Sequence, residues 1–139
     1  METPVKEFKF EIKCEADKIN PLLKSIFSEI KKEIDYSEEF EFKFELAARE
    51  ILANAIEHGC CLANSGGKKL LIKTVTKISS ENIIFSVQDP GPGFEWEKYD
   101  LEKMPKFEEK GRGLKMINRV TDNMEFNKSG NKVTVFFEM

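Results

Sequence analysis

Glu50 and Asn54 stand four residues apart in a stretch, from Ser37 to about His58, whose apolar residues recur at helical spacing. At about 100° per residue, setting Glu50 to zero puts Asn54 at about 40°, Glu57 at about −20° and His58 at about 80°. Phe44, Ala48, Ile51, Leu52, Ala55 and Ile56 fill an arc from roughly 100° to 240°, which is expected to face a sheet. A carboxylate and a carboxamide one turn apart can hold a water or hydroxyl and offer an oxygen to a hard cation. Mg²⁺ takes few protein ligands and completes its shell with water and phosphate, so an Asn carbonyl facing a nucleotide meets its needs. The same spacing also describes a solvated helix face, and a histidine near a helix end interacts favourably with the dipole.

Two glycine-bearing loops add further chemistry. Asp89-Pro90-Gly91-Pro92-Gly93-Phe94 directly follows the β-branched run Ile83–Gln88. A carboxylate fixed at a strand end can accept from an exocyclic amine such as N6 of adenine, while the glycines let backbone pass close to the ligand. A plain Pro/Gly turn closing a hairpin has the same composition. Gly111-Arg112-Gly113-Leu114 then opens a helix expected from Gly113 to about Val120, where unpaired backbone N–H groups and the dipole favour an anion. Lys106, Lys110, Arg112, Lys115 and Arg119 gather around that point in a chain that is acidic overall, with 22 Lys and Arg against 25 Asp and Glu.

These residues need elements to hold them. Phe8, Phe10 and Ile12 alternate with Lys9, Glu11 and Lys13, the period of a half-buried strand. Asp17 or Asn20 can cap a helix with Pro21 in its first turn, and Leu22, Leu23, Ile26, Phe27, Ile30 and Ile34 supply its apolar stripe. The next helix starts at Ser37 and is expected to stop at Gly59. Beyond a Gly66-Gly67 turn, Leu70–Thr76 and Ile83–Gln88 read as strands, followed by a charged segment with one weak helix and then the helix from Gly113. Met124–Asn127 and Val133–Phe137 read as a hairpin around Ser129-Gly130-Asn131. The order gives an α+β fold, a mixed, mostly antiparallel sheet with helices on one face.

Composition narrows the function. A net charge of −3 argues against general nucleic-acid binding, which needs a surplus of phosphate-neutralising cations. No run of eighteen apolar residues offers a membrane span, and the first residues carry no apolar signal core, so a cytoplasmic protein without membrane attachment is expected. Cys14, Cys60 and Cys61 are odd in number and two are adjacent, so free thiols in a reducing compartment are expected. A Cys/His zinc site is disfavoured by a single histidine and the lack of Cys-x-x-Cys spacing. There is no Walker loop, no His-Arg-Asp or Asp-Phe-Gly signature and no dinucleotide glycine turn after the first strand.

Taken in order, three segments resemble the boxes of the GHKL ATPase superfamily. Glu50-Ile51-Leu52-Ala53-Asn54-Ala55-Ile56-Glu57-His58-Gly59 is similar to the N box, Asp89-Pro90-Gly91-Pro92-Gly93-Phe94 to the G1 box and Gly111-Arg112-Gly113-Leu114 to the G2 box. The resemblance runs from about residue 8 to 137. It implies a single ATP-binding domain over residues 1–139 with the Bergerat α/β sandwich, and a lid over roughly Glu95 to Lys110.

Within the superfamily, the short chain and the Glu50…Asn54-Ala55…His58-Gly59 pattern look most like bacterial anti-sigma-factor serine/threonine kinases. That resemblance implies ATP and Mg²⁺ as cofactors, with Asn54 as metal ligand, Glu50 as the base for a protein serine and Asp89 as the reader of adenine. His58, Gly91, Gly93, Phe94, Lys110, Gly111, Arg112, Gly113 and Leu114 complete the implied nucleotide site. It further implies a STAS-type anti-sigma antagonist as substrate, a sigma factor as second partner, and a homodimer through the outer part of the sheet near Phe8–Ile12. The alternative is a nucleotide-switched binding module of the same fold with little or no transfer. Two departures are visible: Glu108 and Glu109 stand where an arginine is frequent before the G2 glycines, and Asn131 stands where a Gly-Thr pair is common.

Overall fold

The structure, a computed structural model, describes residues 6–60, 70–93 and 109–139, with side chains from residue 115 onward in the last stretch. Strand β1 (Lys6–Lys13) leads through a 3-10 turn (Ala16–Lys18) into α1 (Ile19–Glu33) and α2 (Glu38–Asn54), which continues as a wider π turn (Ala55–Cys60). Then come β2 (Leu71–Ile78), β3 (Asn82–Gln88), α3 (Glu109–Val120), β4 (Asn123–Phe126) and β5 (Lys132–Glu138). The five strands form one sheet in the order β1-β2-β3-β5-β4, antiparallel at every pairing. Strands β3 and β4 run in the same direction, but β5 lies between them. The α+β class expected from the sequence is the fold observed, an α/β sandwich with helices on one face. Among the described residues no helix is long and apolar enough to cross a membrane.

Period-two alternation decides which face of the sheet is covered. Phe8, Phe10 and Ile12 lie opposite Thr76, Thr74 and Ile72, which in turn share a face with Phe85, Val87 and Val135. Lys9, Glu11 and Lys73 point the other way and are exposed. On the covered face Phe44 of α2 is fully buried, its ring 5.2 Å from Phe85, 5.3 Å from Phe137 and 5.4 Å from Phe27. This cluster fastens α2 over the centre of the sheet. One polar group sits awkwardly within it: the Thr76 hydroxyl is buried and has no hydrogen-bond partner among the described residues.

Both first helices bury the stripes read from the sequence, with Leu22, Leu23, Ile26 and Ile30 of α1 buried and Phe27 and Ile34 partly so. Their starts differ. Ser37 caps α2, its Oγ accepting from the Phe40 N–H at 3.0 Å, with Glu38, Glu39 and Glu41 in the first turn. Neither Asp17 nor Asn20 caps α1. Its N-cap is Lys18, already helical in backbone and without a side-chain bond, because the 3-10 turn runs straight into the helix. Pro21 is the third residue of α1, where its missing N–H is one the helix could not pair in any case. Lys6 bridges from β1 to Glu29 and Glu33 of α1 at 3.2 and 3.3 Å, and those carboxylates hold its ammonium above the usual lysine range.

The cysteines also depart from the expectation of free thiols. Cys14, just past β1, and Cys60, at the end of the π turn, form a disulfide with Cα atoms 6.1 Å apart. An odd count excludes a complete framework but not one pair, and these two meet because the end of β1 and the end of the α2 extension abut. Cys61, the Gly66-Gly67 turn and the segment from Glu95 to Phe107 lie outside the described residues.

Candidate functional site

The α-helical winding of α2 ends at Asn54, and the next six residues wind more loosely. Such π turns insert an extra residue into a helical turn and are frequent at functional sites. Here the turn carries Asn54, Ala55, His58 and Gly59 along one side of a cleft, with Ile51 a turn earlier. Uniform steps of about 100° per residue hold only as far as Asn54. The expected helix stop at Gly59 is corrected accordingly: winding runs through Cys60, and Gly59 does not have the positive φ of a C-terminal glycine.

Gly59 serves a different need. A Cβ built on it would overlap the Asp89 carboxylate. One on Gly91 would meet the Gly59 backbone, including its Cα at 2.9 Å. The end of α2 and the loop after β3 therefore touch backbone to backbone, and only residues without a side chain permit it. Gly93 takes φ 90° and lies against the Ser129 carbonyl of the β4–β5 turn. Asp89 is held from both sides of its own chain: Oδ1 accepts from the Gly91 N–H at 2.8 Å, and its backbone N–H donates to the Asn131 carbonyl at 2.9 Å.

Together these contacts frame a cleft of about 640 Å³, part of it open to solvent. Its floor is apolar, formed by Ile51, Val87, Ile117, Phe126 and Val133, and its rim is polar, with Asn54, His58, Asp89, Asn131 and Lys132. An apolar slot with a few convergent polar groups suits a flat heteroaromatic ring whose edge carries hydrogen-bonding atoms. Asn54 can present an amide oxygen to a cation at the same cleft. Among the described residues no three His, Cys, Asp or Glu side chains converge on a metal position, so a cation here would depend on Asn54, water and the ligand's own oxygens.

The other sequence candidates are placed as follows. Glu50 is half-buried one helical turn before Asn54 and is not among the residues that line the cleft. Gly91 packs beside it and Gly93 lines it. Helix α3 begins at Glu109, four residues earlier than expected, so Gly111 and Gly113 lie within its first turns instead of forming a loop before it. Glycine is a weak helix former, which is why the sequence pattern starts the helix only at the second of the pair, Gly113. With Ile117 buried and α3 anchored, each added residue gains a backbone hydrogen bond and the helix propagates through them. The side chains of Lys110, Arg112 and Leu114, and all of Phe94, lie outside the described residues, as does the lid segment up to Glu108.

Asn131 and Lys132 were not singled out as site residues by the sequence. The hairpin reading puts Phe126 and Val133 in its two strands; in the structure they stand in register with Val87, and the turn between them reaches the cleft. Residues 14–137 match the family of histidine kinase-like ATPase domains. No curated protein matched the chain.

Proposed function

Because this chain belongs to the histidine kinase-like ATPase family, and is thus an ATP-binding module of the GHKL type, we propose that it is a serine/threonine protein kinase acting as an anti-sigma factor. Its substrate is a STAS-type anti-sigma antagonist, and in the complementary state it sequesters a sigma factor. The observation that carries this reading is the convergence of Asn54 and Asp89, from distant parts of the chain, on one cleft with an apolar floor.

In this reading the adenine ring lies on Ile51, Val87, Ile117 and Val133, and its exocyclic amine donates to Asp89, which is already oriented by the Gly91 N–H. Guanine presents a carbonyl oxygen at that position, and two acceptors repel. Asn54 fits as a ligand of Mg²⁺ by donor chemistry, since a neutral amide oxygen is a hard donor. When bound, the ion neutralises charge on the transferring phosphoryl group. Glu50, one turn away, orients the serine hydroxyl and takes up its proton late in transfer. Phosphoryl transfer asks the protein chiefly for positioning and charge stabilisation; α2 would supply positioning through Glu50 and Asn54, and the charge would come from the ion that Asn54 holds. A homodimer through β1 is part of the proposal, supported by that strand's place at the sheet edge.

The second reading, a nucleotide-switched binding module, is favoured by one observation: Glu50 does not line the cleft. Incubation with γ-labelled ATP–Mg²⁺ and a STAS-type antagonist separates the two. Label on an antagonist serine supports the kinase. ATP binding without label, over a time in which a kinase of ordinary turnover would saturate the substrate, supports the module.

A further inference from the structure

Asn131 does more in this structure than close a hairpin. Its Oδ1 accepts from Asn127 Nδ2 at 2.7 Å and from Ser129 Oγ at 2.9 Å. Two donors on one atom fix which end of the amide is oxygen, so Nδ2 faces the other way, and there it donates to the Gly91 carbonyl at 3.2 Å. Its backbone carbonyl accepts the Asp89 N–H at 2.9 Å. Asn127 is in turn fixed to the turn, its Oδ1 accepting from the N–H groups of Gly130 at 2.9 Å and Lys132 at 3.1 Å. One side chain thus joins the β4–β5 turn to the Asp89-Pro90-Gly91 loop, at the rim of the cleft.

We infer that Asn131 is a positioning residue for nucleobase selection: its amide sets the Asp89–Gly91 loop so that the Asp89 carboxylate meets the base edge in one orientation. The inference rests on the adenine-nucleotide reading of the cleft and deepens it. Asp89 alone has two torsions with which to turn away from a ligand. With Gly91 held at its carbonyl by Asn131 and at its N–H by Asp89, that freedom is reduced, and discrimination between an amine and a carbonyl on the base becomes a fixed feature of the loop.

The test compares the wild type with Asn131→Ala and Asn131→Asp. The alanine removes both ends of the brace. The aspartate keeps the shape and the acceptor for Asn127 and Ser129 but sets an oxygen against the Gly91 carbonyl. ADP and GDP dissociation constants are measured by calorimetry and competition, alongside the melting temperature of the ligand-free protein. Both variants are expected to lose about tenfold in ADP affinity, as for one hydrogen bond near a charged group, with GDP changing much less, so that the ADP-to-GDP preference shrinks. ADP affinity within twofold of wild type in both variants overturns the inference. So does an equal loss for ADP and GDP with a lowered melting temperature, which is the signature of general loosening. Should Asn131 variants fail to fold, Ser129→Ala removes one of the two donors that orient the same amide and is expected to shift the preference in the same direction by a smaller factor. A wild-type protein that binds no ADP overturns the reading of the cleft and this inference with it, whereas normal wild-type binding with unchanged variants overturns the inference alone.

Discussion

The Asp89 carboxylate stands where a side chain on Gly59 would have to go. The glycine at the end of the α2 extension and the acid at the end of β3 are therefore one steric unit, although nothing in their sequence spacing joins them. Gly59→Ala forces the carboxylate to shift. It is expected to weaken ADP binding by about 1.5–3 kcal/mol, the worth of one hydrogen bond to a charged group. Asp89→Asn is expected to lose a similar amount without the steric cost. Calorimetry on the two variants checks this. Normal ADP affinity in Gly59→Ala contradicts the coupling.

Asn54 and Glu50 share a helix but are expected to fail differently. Asn54→Ala removes a cleft-lining amide oxygen and should reduce ATP affinity only when Mg²⁺ is present. Glu50→Gln should leave ATP affinity nearly unchanged and lower phosphate transfer by roughly 10²–10⁴-fold, the usual scale of general acid–base help. Parallel measurements of ATP–Mg²⁺ binding and of transfer decide. Equal losses of affinity in both variants refute the division of roles.

The Cys14–Cys60 bond closes a loop with a sequence separation of 46 that contains α1 and α2. On the chain-entropy view, closing such a loop contributes about 4 kcal/mol to stability. Adding reductant, or replacing Cys14 by Ser, is expected to lower the denaturant midpoint and to steepen the denaturant dependence, since the unlinked unfolded chain exposes more surface. A midpoint insensitive to both treatments excludes a stabilising bond.

Thr76 offers a gain. Its hydroxyl is fully buried without a partner among the described residues, between register neighbours Phe8 and Phe85. Thr76→Val keeps the shape and removes the unpaired group, and is expected to raise stability by about 1 kcal/mol. Thermal unfolding of the variant measures it, and a loss of stability would mean the hydroxyl has a partner.

Much of the fold was legible because its signals are local. Alternation in β1, the apolar stripe of α1, the Ser37 cap and the turn around Ser129-Gly130-Asn131 each depend on neighbours a few residues away. The site was legible in part. Asn54, stacked one turn from Glu50, and Asp89, at a strand end, stand out by residue type, and both line the cleft. The π turn does not stand out, because a widened helical turn leaves no mark in hydrophobic periodicity. Nor does the purpose of Gly59, which looks like a helix stop until Asp89 is seen against it. The brace at Asn131 depends on a contact with Gly91 across forty positions, and the Cys14–Cys60 pair depends on two element ends meeting in space. Pairings of that kind are properties of the packed chain and not of any window within it.

The insertion of β5 between β3 and β4 has a consequence for how binding competence arises during folding. A nascent chain made only as far as Gly93 already contains α1, α2 and the Asp89 loop, but Gly91 has no hairpin to rest on and β3 has an open edge. Pairing of Gln88 with Lys132 must bridge a long stretch of chain, which makes it a slow, late event. The pocket's two halves come together only in that step. Nucleotide binding is therefore expected to follow this pairing and not to template it. Nucleotide acts by mass action on the finished sheet, holding the last strand in place more firmly as its concentration rises above the dissociation constant.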